Sequence, residues 1–167
     1  MTKFLLAVHV IAAIVAIGPV TVAASMFPPA ARRALAAPAD VRAAETVRLL
    51  HRICQVYAAV GIAVPAFGFF TASAMGVLGD AWLIVSIALT VVAAIVLVVL
   101  VLPGQEVLVE SVPDADARTG TGSGQGTVGT VTREATVRLA MFTGIFNLLW
   151  ATVTVLMIVR PGSTTGA

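Results

Sequence analysis

The chain has 167 residues, 59% of them hydrophobic and only 11% charged, with a formal net charge of +2. Soluble domains carry about 25% charged residues, so a water-soluble domain is excluded. An intrinsically disordered chain would need the opposite balance of charge and apolar residues, and that class is excluded too.

Four apolar runs, 4–27, 53–78, 81–102 and 139–159, contain none of the ten basic or eight acidic residues. Each is long enough to cross a hydrocarbon core of ~30 Å at ~1.5 Å per residue. Long runs without alternation satisfy their backbone in lipid only as helices. The expected fold class is all-α: a polytopic membrane protein built as a four-transmembrane-helix bundle.

The first run follows Lys3, and Val22, Ala23 and Ala24 resemble a signal cleavage site. It is longer than a signal h-region of ~7–15 residues, so it reads as a retained span. It carries His9 roughly 8 Å from its start by helical rise, and a Gly18–Pro19 pair. The loop after it holds Arg32, Arg33, Arg42, Arg48 and Arg52. Inside that loop Val41, Ala44, Val47 and Leu50 recur at helical spacing behind Asp40, an N-cap type. The stretch reads as an extension of the second helix, with a helix lying on the lipid surface as the alternative.

The second run places Gly68, Ala72 and Gly76 at four-residue intervals, a groove of small residues that lets another helix approach closely. Gly61 and Pro65 predict a kink there. The third run, rich in Val, Leu and Ile, is expected to be the most lipid-exposed helix, with Trp82 in the interfacial aromatic belt. Segment 103–138 reads as a flexible cytoplasmic loop, acidic at Glu106, Glu110, Asp114 and Asp116 and glycine-rich over 119–130. The Gly-Lys-Ser/Thr ending of a phosphate-binding loop is missing, and Lys3 is the chain's one lysine. The fourth run carries Asn147 near mid-membrane, on one face with Thr143, Ala151 and Thr154 and beside Ala140 and Gly144.

Arg118, Arg133 and Arg138 join the five arginines of the first loop on one side; Lys3, Asp80 and Arg160 stand on the other. The positive-inside rule then puts both termini outside and both long loops in the cytoplasm. The arginines are accounted for as topology determinants that face anionic headgroups, so the expected partner is the lipid bilayer and not nucleic acid.

No span carries Asp or Glu, which leaves no acid–base pair, and the reading is non-enzymatic. Ser25 could be approached by His51, with no supporting motif. His9 and His51 stand at opposite faces, separated by roughly 20 Å of helical rise, so one chain cannot offer both to one haem iron, and no cofactor is expected. His51 and Cys54 share a face at a depth similar to Met26 and Met141, a soft-metal set that the spacing allows but does not require. The lone cysteine excludes an intrachain disulfide. Gly68, Ala72, Gly76, Ala140, Gly144 and Asn147 are the expected helix-packing contacts.

The run from Leu6 to Pro19, the arginine-rich first loop, the glycine-containing second helix and the close from Leu156 to Pro161 together resemble an uncharacterised bacterial family. Its members are four-helix integral membrane proteins, classed as a domain of unknown function. That resemblance implies a multi-pass protein of the bacterial cytoplasmic membrane. His9 and Gly18 are also similar to the first helix of copper-resistance and haem-linked membrane domains, which would make His9 the cofactor-binding residue. The leading expectation is a subunit or accessory of a membrane assembly, a homo- or hetero-oligomer formed through helix packing. The alternatives are a haem- or copper-associated redox protein using His9, and a small transporter with a site between helices one, two and four.

Overall fold

The computed structural model describes residues 2–112 and 125–162, with side chains over 3–112 and 133–162. These form α1 (Thr2–Ala36), α2 (Val41–Val60), α3 (Ala63–Met75), α4 (Ala81–Ile95), a π-helical turn (Val96–Val101), α5 (Leu102–Glu110) and α6 (Gln125–Val159). No strand occurs among the described residues. The elements combine into four rods long and apolar enough to cross a membrane, Lys3–Ala36, Val41–Met75, Ala81–Glu110 and Arg133–Val159.

Three of the four rods are shaped by proline, and in each the missing N–H dictates the local geometry. The first, α1, runs past its expected end at residue 27 and through Pro19, Pro28 and Pro29 to Ala36. Pro28 and Pro29 leave the carbonyls of Ala24 and Ser25 without their regular i+4 donors. In the second rod, Pro65 cannot donate to the Gly61 carbonyl. The helix breaks at Gly61–Ile62, and the Val64 N–H bonds that carbonyl instead at 3.1 Å. The third rod does not stop before Pro103 as expected. It widens, with the Leu102 N–H bonding the Leu97 carbonyl in an i to i−5 pattern, and continues as α5. The π turn supplies the slack that a proline ring needs against the preceding turn.

Consequently the expected flexible loop 103–138 is helical over most of its described part: α5 continues the third rod to Glu110, and α6 begins at Gln125. The loop reading followed the charges. Glu106 and Glu110 are simply exposed, while Leu97, Val101, Gln105, Leu108 and Val112 repeat at helical spacing and are buried. Asp114, Asp116, Arg118 and the glycine-rich residues up to 124 lie outside the described residues.

The extension of the second helix is realised in α2. Asp40 caps it by accepting from the backbone N–H groups of Arg42 and Ala43 at 3.0 and 3.3 Å. Ala44, Val47, Leu50 and Cys54 form its buried face. At its far end the rod stops at Met75, short of residue 78, because Gly76 turns left-handed at φ 72°. The Gly76 and Val77 N–H groups close on Ser73 and Ala72 at 3.1 and 3.2 Å, a Schellman cap.

The main core lies toward the arginine-rich end. Ala23, Ala24, Ala31 and Ala34 of α1 allow α2 to approach with Ala44, Val47 and Leu50. Phe27, Leu97, Val101, Leu139 and Phe146 fill the space among the four rods. At the opposite end Trp82 is buried and does not join an exposed aromatic belt. Its indole N–H donates to Asp80 at 2.9 Å, and the Arg160 guanidinium lies 5.6 Å from its ring centre. Arg160 itself takes φ 45° and ends α6 before Pro161. The third rod is not the most outward-facing: 22% of its apolar window is buried, against 11% for the second. Large apolar side chains such as Ile14, Leu148 and Ile158 face outward on the rods.

Candidate functional site: a polar groove between the first and last helices

A hydroxyl in an apolar helix is usually satisfied by the carbonyl one turn back. Thr21, Thr71, Ser86, Thr90, Thr152 and Thr154 all make that bond, at 2.7–2.9 Å. Thr143 departs from the pattern. It is 3% exposed, and its Oγ1 has no partner. The Asn147 Oδ1 and Trp150 Nε1 are also buried and unpartnered. Residues 143, 147 and 150 fall on one face of α6, so the unmet hydrogen-bonding capacity forms a line roughly 10 Å long.

Thr143 and Asn147 border a groove of about 370 Å³ between α1 and α6, while Trp150 packs against the main core. Ser25, Pro28, Pro29 and Arg32 form one wall; Ala140, Thr143, Gly144 and Asn147 form the other. The Asn147 Nδ2 donates to Ser25 Oγ across it at 3.0 Å. Arg32 stands seven residues from Ser25, about 10 Å nearer the arginine-rich end. A Cβ added at Gly144 would meet nothing within 4 Å, so this side of α6 is open to close approach. A second hollow, about 250 Å³ at the α1–α2 junction, is different. Its Asp40 is spent on the helix cap and its Thr46 hydroxyl donates to the Arg42 carbonyl at 2.7 Å.

His9 and Gly68, read separately from sequence, meet in the structure. The His9 Nδ1 lies 3.1 Å from the Val64 carbonyl and therefore donates to it. A Cβ on Gly68 would come within 2.9 Å of His9 Cε1. The glycine thus makes room for the imidazole of α1, and the ring fills the notch in α3. Ala72 packs with Trp82 and Leu83. Gly76 is the left-handed cap described above, with open space where its Cβ would sit. The three small residues of the second helix therefore serve three different purposes and do not form one seam.

The His51–Cys54 pair acquires a partner that the loop reading concealed. Gln105 of α5 is fully buried; its Oε1 lies 3.1 Å from His51 Nδ1, and its Nε2 donates to Cys54 Sγ at 3.5 Å. The buried Phe27 ring meets His51 edge-on, with centroids 6.4 Å apart. Met26 and Met141 are both more than half exposed, whereas Cys54 is fully buried. Ser25 bonds Asn147 and His51 bonds Gln105, so these two are not paired for nucleophilic chemistry. Among the described residues no group of three or more His, Cys, Asp or Glu is placed to hold a metal ion.

No family model, curated protein or solved structure matches this chain. The site's own chemistry is therefore the ground for a functional reading. It offers an open groove bordered by small residues, with the buried, unpartnered Thr143 hydroxyl and Asn147 amide oxygen behind its wall.

Proposed function

We propose that the chain is a non-enzymatic integral membrane protein of the bacterial cytoplasmic membrane. Its role is that of a subunit or accessory of a membrane assembly, and its docking surface is the α1–α6 groove. One observation carries this reading: a groove of about 370 Å³ opens between α1 and α6, with the exposed Ala140 and Gly144 beside the Asn147–Ser25 pair. Gly144 and Ala140 give a partner helix the close backbone approach that membrane packing favours. On the positive-inside rule the arginine-rich end, with Arg32 at the mouth of the groove, faces the cytoplasm. The test is site-specific photocrosslinking from position 144 in native membranes, followed by purification in mild detergent. Discrete protein adducts are expected; a protein that is strictly monomeric and crosslinks only lipid overturns the reading.

The haem or copper alternative draws support from one feature. With Nδ1–H committed to Val64, the His9 Nε2 keeps its lone pair, the arrangement that orients ligating imidazoles. The residues around it do not complete such a site, since the ring fills the Gly68 notch and His51 is bonded to Gln105. An absorbance spectrum with metal analysis of the purified protein decides this alternative: a Soret band or bound copper would establish it.

A further inference from the structure

We propose that the hollow at the α1–α2 junction binds the phosphodiester of an anionic phospholipid, held between the guanidinium groups of Arg33 and Arg42. This hollow shares no lining residue with the α1–α6 groove, so it stands or falls independently of the docking reading.

The hollow has a volume of about 250 Å³, with Ala30 and Arg33 from α1 and Asp40, Arg42, Ala43 and Thr46 from the start of α2. Its carboxylate and hydroxyl are engaged within the chain. Asp40 Oδ1 accepts from the Arg42 and Ala43 N–H groups, and Thr46 donates to the Arg42 carbonyl. Its two guanidiniums are not engaged: among the described residues neither Arg33 nor Arg42 has a carboxylate within ion-pair distance. Topology alone requires arginines on this side of the membrane, not two of them lining one hollow. Guanidinium forks match phosphate oxygens in charge and in shape. Two guanidiniums and one carboxylate leave a charge of +1, which one phosphodiester neutralises. A phosphate monoester brings about −1.5 to −2 and overshoots.

Depth and surroundings select a lipid over a soluble phosphate. Arg33 stands six residues past Phe27, where the first apolar run ends, which is roughly 9 Å of helical rise. A headgroup layer is about 5–8 Å deep on each side of the hydrocarbon core, so a long arginine stem reaches the phosphate level from there. On the positive-inside rule this end faces the leaflet whose anionic lipids attract basic segments. On the membrane side the hollow continues as exposed apolar side chains on both helices. Val22 and Met26 precede Ala30 at four-residue steps on α1, and Leu49 and Val56 follow Thr46 three and ten residues on along α2. Helical spacing puts each set on the same face as its part of the hollow. A headgroup seated between Arg33 and Arg42 therefore has apolar surface for its acyl chains directly beside it, and a soluble phosphate uses none of that surface.

The experiment is native mass spectrometry of the full 17.1 kDa chain in mild detergent, titrated with palmitoyl-oleoyl phosphatidylglycerol and, in parallel, with palmitoyl-oleoyl phosphatidylcholine. One retained phosphatidylglycerol is expected, at concentrations where phosphatidylcholine, whose ammonium adds a third cation to the hollow, is not retained. Arg33→Gln combined with Arg42→Gln is expected to cut the retained fraction roughly five-fold or more, since it removes both charge-assisted contacts. The charge-matched pair Arg52→Gln and Arg138→Gln lies outside the hollow, and it is expected to change retention less than about two-fold, as screened surface charges do. All four positions are exposed. Arg33→Lys combined with Arg42→Lys keeps the charge, serves if the glutamine pair does not fold, and is expected to lose about two-fold or more with the fork geometry. Equal losses in the two glutamine pairs would mean diffuse attraction and would overturn the site. Equal retention of the two lipids, no retained lipid, or undiminished retention in the lysine pair would also overturn it. Displacement by millimolar glycerophosphoglycerol, the same headgroup without acyl chains, would show a soluble phosphodiester as the ligand and would overturn the lipid.

Discussion

Two glycine–polar pairs occur in this molecule, and they are opposites. At the first, Gly68 of α3 receives the His9 ring of α1, and a Cβ there would collide at 2.9 Å. The imidazole is also satisfied, by the Val64 carbonyl. At the second, Gly144 lies beside Asn147 on α6 with nothing within 4 Å of its Cβ position, and the amide oxygen has no partner. The first pair is closed by a neighbouring helix of the same chain; the second has open space at its glycine and an amide oxygen with no partner. A glycine next to a polar residue in a membrane helix thus marks a close approach, and only the three-dimensional arrangement shows whether the approaching helix belongs to the same chain.

Filling the closed notch is the strongest way to test that contrast. Gly68→Ala is expected to destabilise the bundle by ~1–3 kcal/mol, the usual cost of overpacking, measured by reversible unfolding in mixed micelles. The clash partner is a stiff ring tethered to a carbonyl, so a shift of the side chain gives little relief. Combining it with His9→Ala should return part of that loss, because the two substitutions act on one contact and are not additive. If the double variant is merely the sum of the singles, the ring does not occupy the notch.

The buried Gln105 is the next largest test, since it belongs to the closed half of the molecule. Gln105→Leu keeps the volume roughly constant but leaves His51 Nδ1 and Cys54 without their partner, at an expected cost of ~1–3 kcal/mol for unsatisfied buried groups. The same unfolding measurement reads it. An unchanged midpoint would mean that α5 is not anchored to α2 by this side chain.

The open pair should behave in the reverse sense. Gly144→Ala meets no atom, so the monomer is expected to gain up to ~1 kcal/mol from improved helix propensity. Assembly should weaken at the same time, because the added methyl sits where the second helix must approach. Stability and association are therefore expected to move in opposite directions at residue 144 and together at residue 68. If unfolding and detergent mass both follow one direction at residue 144, the distinction drawn between the two glycines is lost.

How much of this was legible in the sequence varies from one element to the next. The four rods were readable because each contains a long charge-free run, and Asp40 announced the start of α2. Gln105 was hidden by Pro103 and two nearby glutamates, which together look like a loop. The signal that could have found it is the apolar repeat Leu97, Val101, Leu108 and Val112, with residue 105 in register. Asn147 and Gly144 stood out by type and spacing, but the roles of Gly68 and Gly76 did not, since spacing alone cannot separate a notch from a left-handed cap. The partnership of Asn147 with Ser25 was not readable either, because it depends on where two distant helices cross.

The smallest expected effect comes from the opposite end of the bundle, where Asp80 accepts from the Trp82 indole and Arg160 lies over its ring. Asp80→Asn keeps an oxygen acceptor for the indole N–H and removes only the charge, so the loss should be the difference between a charge-assisted and a neutral hydrogen bond, about 0.5–1 kcal/mol. Because Trp82 is buried and the chain has two tryptophans, its fluorescence in a Trp150→Phe background reports the site directly. The expected change is a modest fall in unfolding midpoint with little shift in emission. A large red shift would mean that the carboxylate, rather than the packing of Ala72 and Leu83, keeps the indole from water. The closed half of the molecule would then depend on charge at this end, unlike the His9–Gly68 contact, which depends on shape.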